Sequence, residues 1–125
     1  MYLLDISVLL AAIWQSHSLH AKTDAWIVAK ELAICPLSEL GFLRISTHPK
    51  GPFRASMAQA RLLLADFLAK RKCTFVSADL PGLRSQAANS DTVTDCYLAD
   101  LVASHGMKLA TLDGRIQHKA AEIID

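Results

Sequence analysis

The sequence predicts an α/β fold built on a parallel sheet, and three observations carry that expectation. Short apolar runs alternate with longer segments of helical period along the whole chain. No internal repeat or low-complexity tract interrupts the alternation. The first and the last clear apolar runs, Tyr2–Asp5 and Lys108–Asp113, both end in a carboxylate. Such a pattern belongs to one domain spanning residues 1–125.

Taken in order, Tyr2–Asp5 is the first predicted strand. Ser7–Trp14 follows with the helix formers Leu9, Leu10, Ala11 and Ala12. A second helix is expected over Leu19–Lys30, with Trp26 and Ile27 on its apolar side. Glu31–Pro36 reads as a buried strand stopped by Pro36, and Ser38 as the cap of a helix carrying Leu40, Phe42, Leu43 and Ile45. Proline and glycine make Thr47–Phe53 a loop.

Ser56–Arg71 is the clearest helix, because Ala58, Leu62, Ala65 and Leu68 recur at helical spacing with charges between them. Thr74–Ala78 is the third predicted strand, and Asp79–Asn89 holds a Pro-Gly turn. Thr92–Ser104 is amphipathic and closed by Gly106 as a C-cap. Lys108–Asp113 is the fourth strand, and Glu122–Ile124 adds a short edge strand.

Composition narrows the function classes. Hydrophobic residues make up 52% and charged residues 20%, which fits a folded domain and excludes a disordered one. With 13 basic against 12 acidic side chains the formal charge is +1, so any nucleic acid must be held by local clusters. Cys35, Cys73 and Cys96 lack metal-ligand spacing and read as reduced thiols. No stretch has the ~18 apolar residues of a membrane span. The start, Met1–Asp5, lacks a basic leader, and a soluble, cytoplasmic domain is expected.

The positions of the acids are the informative feature. In a parallel α/β sheet, ligands bind beyond the carboxyl ends of the strands, where strand order reverses. Asp5 and Asp113 end predicted strands, while Glu39 and Asp95 fall in the first turns of helices. Taken singly, each is an ordinary strand terminator or first-turn acid. Gathered on one rim, however, such carboxylates repel one another, and a cation or raised pKa values must compensate.

Hard, oxygen-liganded Mg²⁺ or Mn²⁺ suits an all-carboxylate set. Zinc does not, because His17, His20, His48, His105 and His118 are scattered away from these acids. His105 reads as a helix C-terminal residue, and Lys70–Lys72 as a dipole-stabilised helix end.

Four pieces now resemble a known family: LLDISVLLA (Leu3–Ala11), CPLSELGFLRISTHP (Cys35–Pro49), VTDCYLADLVASHG (Val93–Gly106) and LATLD (Leu109–Asp113). In this order they resemble the successive motifs of PIN-domain VapC toxins across nearly the whole chain. The resemblance implies a three-layer α/β/α sandwich around a mainly parallel sheet. It implies an acidic quartet of Asp5, Glu39, Asp95 and Asp113 binding Mg²⁺ or Mn²⁺, and hydrolysis of RNA to 5′-phosphate and 3′-hydroxyl ends. Ser7 and Thr111 match positions that support the first and last Asp. A homodimer and a VapB-type antitoxin, with an amphipathic segment filling a groove, are also implied.

Asp100, five residues beyond Asp95, points elsewhere on a regular helix and stays outside the set. Arg44, Lys50, Arg54, Arg84 and Arg115 are the candidate RNA contacts, as cations in or near rim loops. The residues themselves leave open the general base, the number of metals and the RNA sequence.

Three rivals stand beside the nuclease. A receiver-type phospho-acceptor needs an acidic pair after the first strand and a late strand-ending Lys. This chain has one Asp there, with Asp79 alone in support, and Lys108 begins its strand. A PIN fold acting as a silent binding or scaffold module is opposed by the intact acidic set. DNA as substrate is opposed only by the resemblance.

Overall fold

In the computed structural model, which describes residues 1–125, the expected elements form in the expected order. They are β1 (Tyr2–Leu4), α1 (Ile6–Ile13), α2 (His20–Ile27), β2 (Leu32–Ile34), α3 (Pro36–Thr47), α4 (Met57–Lys70) and β3 (Thr74–Phe75). A single 3₁₀ turn at Gly82–Arg84 precedes α5 (Val93–Ser104), β4 (Lys108–Thr111) and β5 (Ala121–Ile123). No helix is long and apolar enough to cross a membrane.

All strands are parallel, in the order β3-β2-β1-β4-β5. Strand order therefore reverses between β1 and β4, which pair through Tyr2–Lys108, Leu3–Leu109 and Leu4–Ala110. The crevice beyond the carboxyl ends of these two strands is the usual ligand position in such sheets.

Alternation along the strands sorts the core into two layers. Leu4, Leu32, Ile34 and Ala110 face α1 to α4 and pack with Val8, Leu9, Ile27, Phe42, Ala60, Leu64 and Phe67. Leu3, Ala33 and Leu109 face α5 and pack with Tyr97, Leu98, Leu101 and Val102. This is the expected three-layer α/β/α sandwich. Burying each of Leu3, Leu4 and Leu109 fully contributes roughly 1.5–3 kcal/mol.

The differences from the predicted boundaries have physical reasons. Pro36 does not end a strand. It opens α3, where its missing N–H costs no hydrogen bond, after Cys35 as N-cap. Ser38 accordingly lies inside α3 and caps nothing; its buried hydroxyl donates to the Leu4 carbonyl at 2.7 Å. Gly41 lets α3 lie directly on α1, since a Cβ there would overlap Cγ1 and Cδ1 of Ile6. Of the apolar residues α3 carries, Phe42 is buried and Leu40 exposed, while Ser38, Gly41 and Ser46 are also buried.

The predicted third strand shrinks to Thr74–Phe75, whose residues are both exposed at the sheet edge. Ser56 caps α4 by accepting from the Gln59 amide. Gly106, at φ +68°, follows α5 in the left-handed conformation. The Met107 amide bonds to Val102 O and the Gly106 amide to Ala103 O, a Schellman closure.

Candidate active site

Asp5 sits immediately after β1 as the N-cap of α1, one residue past the strand it was expected to end. Its Oδ1 accepts the Val8 amide at 2.9 Å and the Ser7 hydroxyl at 2.6 Å. Ser7 Oγ in turn accepts the Leu112 amide at 3.2 Å, which ties the exit of β4 to the first carboxylate. The side-chain cap of α1 is thus also the strut between β1 and β4.

The residue is 1% exposed, yet its Oδ2 has no hydrogen-bond partner. Burial raises the Asp5 pKa, while the hydroxyls of Ser7 and Thr111 and the Val8 amide lower it, and Asp113 raises it further. The Thr111 hydroxyl stands beside the Asp5 carboxyl. Its Oγ1 accepts the Asp113 amide at 3.0 Å, so it supports the last Asp directly.

Asp113 lies two residues beyond the end of β4, correcting the expectation that it ends the strand. The sequence turns there, and Arg115 folds back on it. Asp95, in the first turn of α5 as expected, has its pKa pushed up to about 6 by burial first and then by Asp5 and Asp113, with Arg115 opposing. Arg115 holds the Asp113 carboxyl below its usual range through side-chain and backbone hydrogen bonds. Asp95 and Asp113 line one recess with Ser7, whose hydroxyl holds Asp5, so the three acids are near neighbours whose charges oppose one another.

A recess of about 340 Å³ opens here, lined by Ser7, Arg44, Asp91, Asp95 and Asp113 among others. Glu39 lines a different recess, against Arg61, Leu64 and Leu68 of α4. The structure therefore brings three of the four predicted acids together and directs the fourth to the neighbouring α3–α4 surface. As the side chains stand, no three His, Cys, Asp or Glu groups are spaced to hold an ion. Asp113 is instead engaged by Arg115, and Glu39 lines the recess against α4.

The donor set nevertheless fits a hard divalent cation. Oxygen ligands alone are present, and the bare, buried Oδ2 of Asp5 is the orphaned atom that such an ion would satisfy. Burial first, and then Asp113 for Asp5 and both Asp5 and Asp113 for Asp95, raises these two carboxyls, a strain that a bound cation would relieve.

Among the cations proposed for RNA, Arg44 lines the recess and Arg115 lies on its rim, bound to Asp113 and Asp91. Arg84 lines a separate small recess with Asp100 and Ser104. Arg54 bonds back to Gly51 O in the loop before α4, and Lys50 belongs to the same loop. Asp100 is paired with His118 at 2.9 Å, away from Asp95 as expected. His105, the C-cap of α5, also reaches Asp79 at 3.1 Å.

Two contributors were not foreseen. Asp91 sits in the polar turn before α5, where the sequence offers only an acid four residues ahead of Asp95 as a signal. Ser38, read as a cap, pins α3 to the last carbonyl of β1.

Comparison with known proteins places this architecture. The PIN domain family profile matches residues 2–122. The chain is similar to Ribonuclease VapC38 of Mycobacterium tuberculosis, with 34% identity over 93% of this chain and 87% of the relative. It is likewise similar to Ribonuclease VapC39, 32% identical over 95% of this chain and 93% of the relative. Ribonuclease VapC44 is 33% identical over 91% of this chain and 87% of its own length. Both proteins are from the same organism.

Proposed function

The chain belongs to the PIN-domain family, in its VapC-type branch, and from that premise we propose that it is a divalent-metal-dependent endoribonuclease. In this reading it is the toxin of a type II toxin–antitoxin pair, acting in the cytoplasm as a homodimer and restrained by a VapB-type antitoxin. The observation that carries the reading is the buried, partnerless Oδ2 of Asp5 beside Asp95 and Asp113 at the switch point of the sheet.

Asp5, Asp95 and Asp113 would hold Mg²⁺ or Mn²⁺, with Glu39 as the fourth carboxylate once its side chain turns from the α4 side. A bound ion supplies Lewis acidity, lowering the pKa of a water and screening charge that grows on the phosphoryl oxygens. The protein's part is positional. Ser7 fixes Asp5 and the β4 exit together, and Thr111 fixes the Asp113 backbone. Arg44, in the wall of the recess, is placed to neutralise an RNA phosphate. Hydrolysis forms a bond from water oxygen to phosphorus and breaks the P–O3′ bond, leaving a 5′-phosphate and a 3′-hydroxyl.

Incubating the purified protein with total RNA and Mg²⁺ or Mn²⁺, beside Asp5→Asn and an EDTA control, tests this. Discrete fragments that vanish in both controls are expected. Equal cutting by Asp5→Asn, or no cutting by the wild type, would favour a silent binding module instead.

A further inference from the structure

Arg115 occupies Asp113 completely. Its backbone N–H and Nε donate to Oδ1 at 2.9 and 3.0 Å, and Nε and Nη2 donate to Oδ2 at 3.2 and 2.7 Å. Its remaining arm, Nη1, reaches Asp91 Oδ2 at 2.6 Å. A single guanidinium thus bridges two carboxylates that line the same recess. A short distance away, Asp5 presents the opposite condition, with one oxygen buried and bare.

We propose that Arg115 is a built-in counter-cation of this recess, mutually exclusive with a divalent ion at Asp113, and that Asp91 is the post that keeps it at the rim once displaced. The inference rests on the nuclease reading and deepens it, by naming what the ion must move before the carboxylates can act together. Three features make the exchange physically reasonable. The arginine side chain is 60% exposed, so swinging away needs no repacking of the core. It keeps one carboxylate, Asp91, when it leaves the other, so its charge is never stranded. One positive charge among Asp5, Asp91, Asp95 and Asp113 cannot neutralise the group, and a divalent cation does so better.

The fork geometry matters as much as the charge. A guanidinium matches both carboxylate oxygens at once, whereas an ammonium is a point charge that leaves one free. Arg44, in the wall of the same recess, serves as the control for charge alone.

The test is Mn²⁺ affinity measured by the free-ion EPR signal for the wild type, Arg115→Gln, Arg115→Lys, Arg44→Gln and Asp5→Asn, each checked for folding by circular dichroism. Displacing a well-formed but largely exposed pair corresponds to about fivefold tighter Mn²⁺ binding in Arg115→Gln. Arg115→Lys should fall between that variant and the wild type, and Arg44→Gln should change affinity by less than about twofold. Unchanged or weaker binding in Arg115→Gln, with the wild type binding and Asp5→Asn impaired, overturns the exchange and leaves the nuclease reading standing. Equal tightening in Arg44→Gln and Arg115→Gln, with Arg115→Lys like the wild type, reduces Arg115 to a diffuse charge and also overturns it. Absence of Mn²⁺ binding in every variant removes this proposal and the metal-dependent reading together.

Discussion

Asp5 and Asp113 follow neighbouring strands of one sheet, yet their surroundings are opposite. Asp5 caps α1 through one oxygen, is sealed from water, and leaves its second oxygen without a partner. Asp113 lies on a turn, its side chain 20% exposed, with both oxygens filled by Arg115. Burial raises the first carboxyl and the guanidinium lowers the second. The difference teaches how a rim of like charges is kept folded. One acid is held by the backbone and left unsatisfied, and another is screened by an exposed arginine. If the proposed cation binds, the buried member would define its place and the screened one would set how readily it is taken up.

The largest effect is expected at the buried side. Asp5→Asn keeps an N-cap acceptor for Val8 but removes the charge. RNA cleavage should fall by more than about a hundredfold while the ion-free protein melts at or above the wild-type temperature. A variant that cuts well would show that the buried oxygen is structural only.

Ser7→Ala breaks the strut between Asp5 and Leu112. It should lower stability by about 1–3 kcal/mol in urea unfolding and cleavage by about tenfold, because the buried acid then loses a donor. Loss of stability with full activity would separate the strut from the site. Glu39→Gln should reduce cleavage by about tenfold or less, a smaller effect than Asp5→Asn, because Glu39 must first turn away from α4. Effects as large as those of Asp5→Asn would mean that the side chain spends its time at the shared rim.

The smallest effect is one of pH. The Asp95 carboxyl is raised from 3.8 to about 6 in the fold, so the folded state holds its proton more tightly than the unfolded chain. Its contribution to the stability of the ion-free protein is full below 3.8 and is lost as pH rises to about 6. Melting curves across that window, with Asp95→Asn for comparison, should show the decline in the wild type and its absence at this position in the variant. Saturating Mg²⁺ should reverse the wild-type decline, since binding to the folded state stabilises it. A wild type whose melting follows that of Asp95→Asn throughout would place Asp95 outside the strained group.

Much of this arrangement was readable from the residues. Asp5, Asp95 and Asp113 adjoin strongly patterned elements, whose apolar periods fix where each strand or helix ends to within a residue or two. Ser7 followed from its place two residues after Asp5 in the family motif. The α3 side was harder. Its buried positions are Ser38, Gly41, Phe42 and Ser46, so the contact with α1 is made largely by small residues, and hydrophobicity pointed instead to the exposed Leu40. Glu39 was placed in the first turn of α3, where it stands, but its neighbours on α4 could not be read.

Asp91 and the doubled hold of Arg115 were not readable at all. Both depend on how two turns, residues 89–92 and 112–115, come together, and neither turn has a period that a single sequence can show.

The most direct test of the central claim is a calorimetric titration of Mn²⁺ into the wild type and Asp5→Asn at neutral pH. Saturable binding to the wild type and at least about tenfold weaker binding to the variant are expected, with both proteins folded. Equal affinity in the two would contradict it, because the bare oxygen of Asp5 would then have no part in holding a cation.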